Sequence, residues 1–204
     1  RSSYPFSVAG DRAILYGLGA IKGVGRAAVE ALIAERGRNG PFASLAEFCR
    51  RVDHDKVNRR ALEAMVKSGA MDDFGQSRRA LMHQVPEALK SADQHARAQA
   101  AGQNDMFGLE ATPEPDDTPV SVDMDEWPER LLLSSEKEAL GLYLTGHPFH
   151  AVRADARCFV DGTLAELAAE PPPQTARGAR DYSQSRREVT IAGPVVDLRK
   201  RGNR

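Results

Sequence analysis

The stretch from Asn104 to Trp127 limits what the rest of this 204-residue chain can become. It holds eight acidic residues, no lysine or arginine, and three prolines, Pro113, Pro115 and Pro119. So little apolar surface cannot offset the entropy of ordering a backbone, and the segment is expected to be a mobile acidic linker. Ordered structure is therefore expected before and after this segment rather than within it. Charge follows the same division. Residues 1–102 carry 16 Lys and Arg against 11 Asp and Glu, residues 103–176 carry 4 against 15, and residues 177–204 carry 8 against 3. The overall net charge of −1 conceals this basic–acidic–basic layout. Two segments can face phosphate while the one between them is repelled by it, although ordinary solvated charge gives the same pattern.

Before the linker, the pattern is of short helices with clear punctuation. Ala28, Val29, Leu32 and Ile33 follow helical spacing from Arg26 to Arg36, with Gly37 as the expected stop. Ser44 and Glu47 form a capping box ahead of Leu45, Phe48, Cys49 and Val52. Asn58 can cap a helix that buries Leu62, Met65 and Val66 and ends at Gly69. Ser77 opens a longer helix through Leu81, Val85 and Leu89, with Pro86 as an expected kink. A helix–turn–helix duplication is conceivable within residues 15–75.

After the linker, Ser135 and Glu138 suggest a second capping box, leading a helix through Ala139, Leu140, Leu142, Tyr143 and Leu144 to Gly146. Thr163 with Glu166 marks another short helix, stopped by Pro171-Pro172-Pro173. Val189, Ile191, Gly193 and Val195 alternate as a strand, with Gly193 a bend. No apolar run approaches the ~20 residues that span a bilayer, so a membrane partner is not expected. Two cysteines, Cys49 and Cys158, cannot make a disulfide scaffold or a four-thiolate zinc site, and they suit a reducing cytoplasmic setting. No signal peptide is visible, and without an initiator Met the chain reads as a piece of something longer.

The strongest local signal is Ile21-Lys22-Gly23-Val24-Gly25-Arg26, directly before an Ala-rich helix. A Gly-apolar-Gly hairpin turns its N–H groups outward with no Cβ in the way, and the helix N-terminus behind it favours an anion. Lys22 and Arg26 add charge at the rim. This is the helix-hairpin-helix pattern, which grips the DNA backbone without reading bases. The same glycines would also serve a tight turn between packed helices. No Gly-Lys-Ser/Thr follows, so this is not a nucleotide-binding P-loop.

Gln103-Asn104-Asp105-Met106-Phe107 is the second candidate. Apolar Met106 and Phe107 stand at the head of the acidic linker, in the form of a short motif that docks in a partner's pocket. Folding back onto the helices is the alternative. The catalytic inventory is poor. His147 and His150 flank Pro148, which prevents a shared helical face, and neither they nor Cys158, nor Cys49 with His54, complete a metal site. Asp72-Asp73 suits a turn, and Asp116-Asp117 solvated linker. No residue is expected to be catalytic.

Four separated blocks carry a resemblance. They are Tyr16–Gly25; Val57–Glu63 with Ser68–Asp72; Gln103–Gly108; and Glu136–Pro148. In that order they resemble the alpha subunit of bacterial DNA polymerase III, the replicative C-family polymerase. The likeness covers about Tyr16 to Arg204 and is weakest over 110–125 and 150–187. It implies a mainly α fold: the end of the fingers and a tandem helix-hairpin-helix region over 1–101, and a clamp-binding motif with acidic linker over 102–126. A helical connector would cover 127–187, and the first strand of a truncated OB-fold barrel 188–204. By resemblance, Lys22, Gly23, Val24, Gly25 and Arg26 hold duplex DNA, while Gln103, Asn104, Asp105, Met106 and Phe107 bind the sliding clamp (the beta subunit). Other replicase subunits would be partners of the full-length polymerase. Its catalytic carboxylates and Mg2+ belong to an upstream palm domain, so this piece is expected to be inactive alone and to hold no cofactor. A helix-hairpin-helix module of a repair or error-prone polymerase is the alternative, and a purely structural helical adaptor a further one.

Overall fold

The computed structural model describes residues 2–53, 55–100, 123–169, 188–195 and 198–199, the side chains of 99 and 100 excepted. These fall into two compact units, residues 1–145 and residues 146–204. Helices dominate, as the punctuation implied. The first unit opens on a β-hairpin that the sequence pattern did not disclose. Strands β1 (Ser7–Ala9) and β2 (Ala13–Leu15) pair antiparallel, with Val8 opposite Ile14. Three residues are too few to display an alternating pattern, although Gly10 at φ +73° supplies a left-handed turn residue.

Helices α1 (Arg26–Asn39), α2 (Leu45–Arg51), α3 (Arg59–Lys67) and α4 (Arg78–Ala100) follow. Their caps match the sequence. Ser44 Oγ accepts from the Glu47 N–H at 3.1 Å, and Glu47 reaches back to the N–H of Ala43 rather than that of Ser44. Asn58 Oδ1 accepts from the Ala61 N–H at 2.9 Å, and Ser77 Oγ from that of Ala80 at 3.1 Å. Helix α1 passes through Gly37 and stops instead at Gly40, whose φ of +81° no longer continues the helix. Helix α4 likewise runs through Pro86. Helix α4 packs across α2 and α3, closing a core around Val29, Leu45, Leu62, Val66, Leu81 and Val85.

Helix α5 (Glu129–Leu140) is also part of this first unit and lies on α3. It begins six residues before Ser135, so the Ser135/Glu138 capping box does not form. Ser135 sits buried in mid-helix. The end differs as well: Gly141, at φ +85°, stops the helix, leaving Leu142 and Leu144 largely exposed. The second unit holds a 3-10 turn (Pro148–Val152) and helices α6 (Arg153–Ala156) and α7 (Leu164–Ala169). Thr163 and Glu166 form the expected reciprocal cap, at 2.7 and 3.2 Å. The expected strand around Val189–Val195 forms no ladder among the described residues. A strand is stabilised by a neighbour's backbone, and here Thr190 exchanges bonds with Asp161, at 3.1 Å to its N–H and 2.6 Å to its carboxylate.

Candidate nucleic-acid interface

The hairpin before α1 is held from two sides. Leu18 and Gly19 donate their N–H groups to Ser3 and Tyr4 carbonyls at 2.9 and 3.0 Å, tying the N-terminal segment to the Gly17-Leu18-Gly19 backbone. A Cβ on Gly17 would overlap the backbone of residues 4–6, and one on Gly19 the Tyr4 ring. These two glycines are therefore required for packing. From the other side, the Lys22 N–H donates to the Ala139 carbonyl of α5 at 2.8 Å, and Tyr16 Oη donates to that of Leu140 at 3.4 Å.

Within the hairpin the residues divide by role. Ile21 and Val24 point into the core, and the Val24 N–H is used internally, bonding to the Ile21 carbonyl at 3.2 Å. Val24 is thus the anchor, and its neighbours form the surface. Gly23 takes φ +88°, and Gly25 is the N-cap of α1. Lys22, Gly23, Gly25 and Arg26 are all exposed.

Helix α1 differs from α2, α3 and α4 in how its N-terminus is satisfied. Each of the helices α2, α3 and α4 has a side-chain acceptor over its first N–H groups: Ser44, Asn58, and Ser77 together with Glu126. Glu126 acts as an internal anion, accepting from the N–H groups of Arg78 and Arg79 at 2.8 and 3.2 Å. Helix α1 has a glycine cap, no side-chain cap bond and no acidic residue in its first turn. Its outward N–H groups and positive dipole end are open to an anion. Arg26 stands at that rim. Its guanidinium bonds Glu30 at 2.7 Å and lies 5.4 Å above the Tyr4 ring centroid. The Glu30 bond and charge, with Tyr4 behind them, hold the arginine's pKa above its ordinary value. Both partners of that pair are well exposed, so the pair is weak and Arg26 can exchange Glu30 for another anion.

A second glycine turn follows α3. Gly69 adopts φ +78° between Ser68 and Ala70, left-handed like Gly23. This turn is filled. Arg78 lies almost fully buried against it, bonded to Asp72 at 2.8 and 2.9 Å, to Glu136 at 2.9 Å and to the Lys67 carbonyl at 3.4 Å. Glu136 is completely buried and also accepts from the N–H groups of Leu144 and Thr145 at 2.8 and 3.1 Å. Burial opposes its charge, but those backbone donors and Arg78 outweigh it, so the carboxyl is held below its ordinary range. The first hairpin faces outward and the second is an internal guanidinium site.

Residues 1–81 match the helix-hairpin-helix motif family. Over 98% of its length the chain is 44% identical to DNA polymerase III subunit alpha of Escherichia coli strain K12. It is 39% identical over 99% of its length to the same subunit of Xylella fastidiosa. The chain belongs to the DNA polymerase III subunit alpha family. It spans 17% of the length of these relatives. The Vibrio cholerae member of the family aligns similarly, 40% identical over 98% of the chain.

The other residues singled out in this family member sit as follows. Gln103, Asn104, Asp105, Met106 and Phe107, with the acidic linker as far as residue 122, lie outside the described residues, as does His54. The end of the expected mobile linker is instead engaged, with the Met124 carbonyl accepting from Ser77 and Glu126 capping α4. Burial pushes the Cys49 thiol up to about 12, so it stays protonated at neutral pH and is a poor nucleophile or ligand. His147 caps the 3-10 turn, its Nδ1 accepting from the Phe149 N–H at 3.2 Å, with its ring 6.0 Å from that of His150. Among the described residues no three His, Cys, Asp or Glu side chains converge as a metal site. Among the described residues no helix is long and apolar enough to cross a membrane.

Proposed function

We propose that this chain is a DNA-holding and clamp-tethering part of a replicative polymerase, with nucleotide transfer and its Mg2+ supplied by residues outside it. The observation that carries the DNA half is the open N-terminus of α1 behind the exposed Gly23 and Gly25, where α2, α3 and α4 are capped from within. One backbone phosphate can take the place of the missing cap, with Lys22 and Arg26 beside it. Bases are not read, because the surface residues of the hairpin are two glycines and two flexible cations.

Fluorescence anisotropy of a labelled duplex across a salt series tests this. Lys22→Ala with Arg26→Ala lowers the slope of log affinity against log salt by about two and weakens unrelated sequences equally. A slope equal to that of the unsubstituted chain would sink the hairpin reading.

The clamp half rests on the likeness of Gln103–Phe107 to the family's clamp-binding pentapeptide, whose Met106 and Phe107 supply apolar anchors. Tethering to a ring raises the local concentration of DNA, so a weak peptide contact suffices for long synthesis runs. Calorimetric titration with a bacterial sliding clamp is expected to give binding heat that Gln103→Ala with Phe107→Ala abolishes. Equal binding by both proteins would place the contact elsewhere, and no binding by either would end the tether reading.

A further inference from the structure

Helix α3 runs directly behind the open hairpin. A Cβ built on Gly23 would lie 4.0 Å from the Ala64 Cβ, so the hairpin backbone rests on the middle of α3. Residues four apart on a helix share a face at about 5–6 Å between Cβ atoms, which puts Arg60 on the hairpin side of α3, within about 10 Å of Gly23. At the other end of that face, Lys67 is already engaged, its Nζ bonded to Glu138 at 2.8 Å.

The two arginines that open α3 differ. Arg59 is held by Glu63, at 2.8 Å. Arg60 is exposed, and among the described residues no carboxylate pairs with it. The first turn of α3 contains no acidic residue either. A cation in the first turn of a helix opposes the helix dipole, so this placement costs stability without returning an internal contact.

We propose that Arg60 is a further phosphate contact, extending the hairpin's grip to a neighbouring phosphate of the same DNA backbone. The inference rests on the DNA-binding reading above and adds to it a residue that lies 34 positions from Arg26 in the sequence. The contact is electrostatic and sequence-independent. It requires no rearrangement of the core, because Arg60 projects from the exposed side of a helix whose buried residues are Ala61, Leu62, Met65 and Val66.

The test uses the full 204-residue chain with labelled duplexes of two unrelated sequences over a salt series. Arg60→Gln is expected to lower the salt slope by about one and to weaken both duplexes alike. Lys90→Gln, which removes the same charge from an exposed position of α4, serves as the net-charge control and should leave the slope unchanged. Arg60→Lys, which keeps the charge, should restore most of the binding. A slope unchanged by Arg60→Gln, or lowered equally by Lys90→Gln, overturns the proposal while leaving the hairpin reading intact if Lys22→Ala with Arg26→Ala still weakens binding. Absence of salt-dependent binding by the unsubstituted chain overturns both.

Discussion

Replacing Glu136 by Ala is expected to destabilise the first unit by about 3–5 kcal/mol, the loss typical of breaking a buried ion pair from one side. Three groups lose their acceptor at once: the Arg78 guanidinium and the N–H groups of Leu144 and Thr145. Arg78 retains Asp72, but Asp72 is half exposed and water competes for it. Asp72→Ala should therefore cost distinctly less than Glu136→Ala, since solvent can replace a partly exposed carboxylate and cannot reach a fully buried one. Denaturant unfolding followed by far-UV circular dichroism measures both, and equal costs would refute the burial argument.

The same carboxylate sets an acid limit. Because its folded pKa lies below the ordinary value of 4.5, its contribution is fully present above that pH. It is lost as pH falls through the depressed folded value. Unfolding midpoints of the unsubstituted chain should decline over that acidic interval more steeply than those of Glu136→Gln, which has no proton to take up at this site. Parallel declines would show that other carboxylates govern the acid transition.

Gly69→Val is expected to be comparably damaging. A β-branched residue is strained at φ +78°, by roughly 1–2 kcal/mol on the general cost of left-handed backbone for L-residues. Its Cβ would also overlap the Arg78 guanidinium. The tip of an arginine usually gives way at little cost, but this one is fixed by Asp72, Glu136 and the Lys67 carbonyl. Displacing it leaves Glu136 buried without its cation, so a loss on the order of the buried-pair figure adds to the strain. Together these approach the whole stability of a small domain, about 5–15 kcal/mol. Thermal unfolding should show the two substitutions to be less than additive, since each damages the same pair. Strict additivity would mean that Gly69 acts through backbone strain alone.

Much of the helical part was legible because its signals are local. Ser44, Asn58 and Ser77 cap the helices they precede, and the apolar faces of α2 and α3 are the ones that periodicity marks. Such signals mislead where local grammar has two readings. Ser135 with Glu138 has the form of a cap, yet Glu129–Leu133 extends the helix N-terminally, and tertiary burial takes Ser135 and Glu136 into the interior. Gly37 has the form of a stop, but the helix tolerates it and ends at Gly40.

Sequence alone determined the mainly helical class, the position of the Gly23–Gly25 hairpin ahead of α1 and the cations beside it, because caps, turns and periodicity act within a few residues. Only the tertiary structure decided that the turn at Gly23 is open and the one at Gly69 is filled. Gly23 and Gly69 both adopt left-handed backbone. What separates them is Arg78, nine residues beyond Gly69, fixed in place by Glu136 from a helix on the far side of the linker. A buried guanidinium must find a carboxylate wherever the fold brings one, and that partner is chosen by packing rather than by position along the chain.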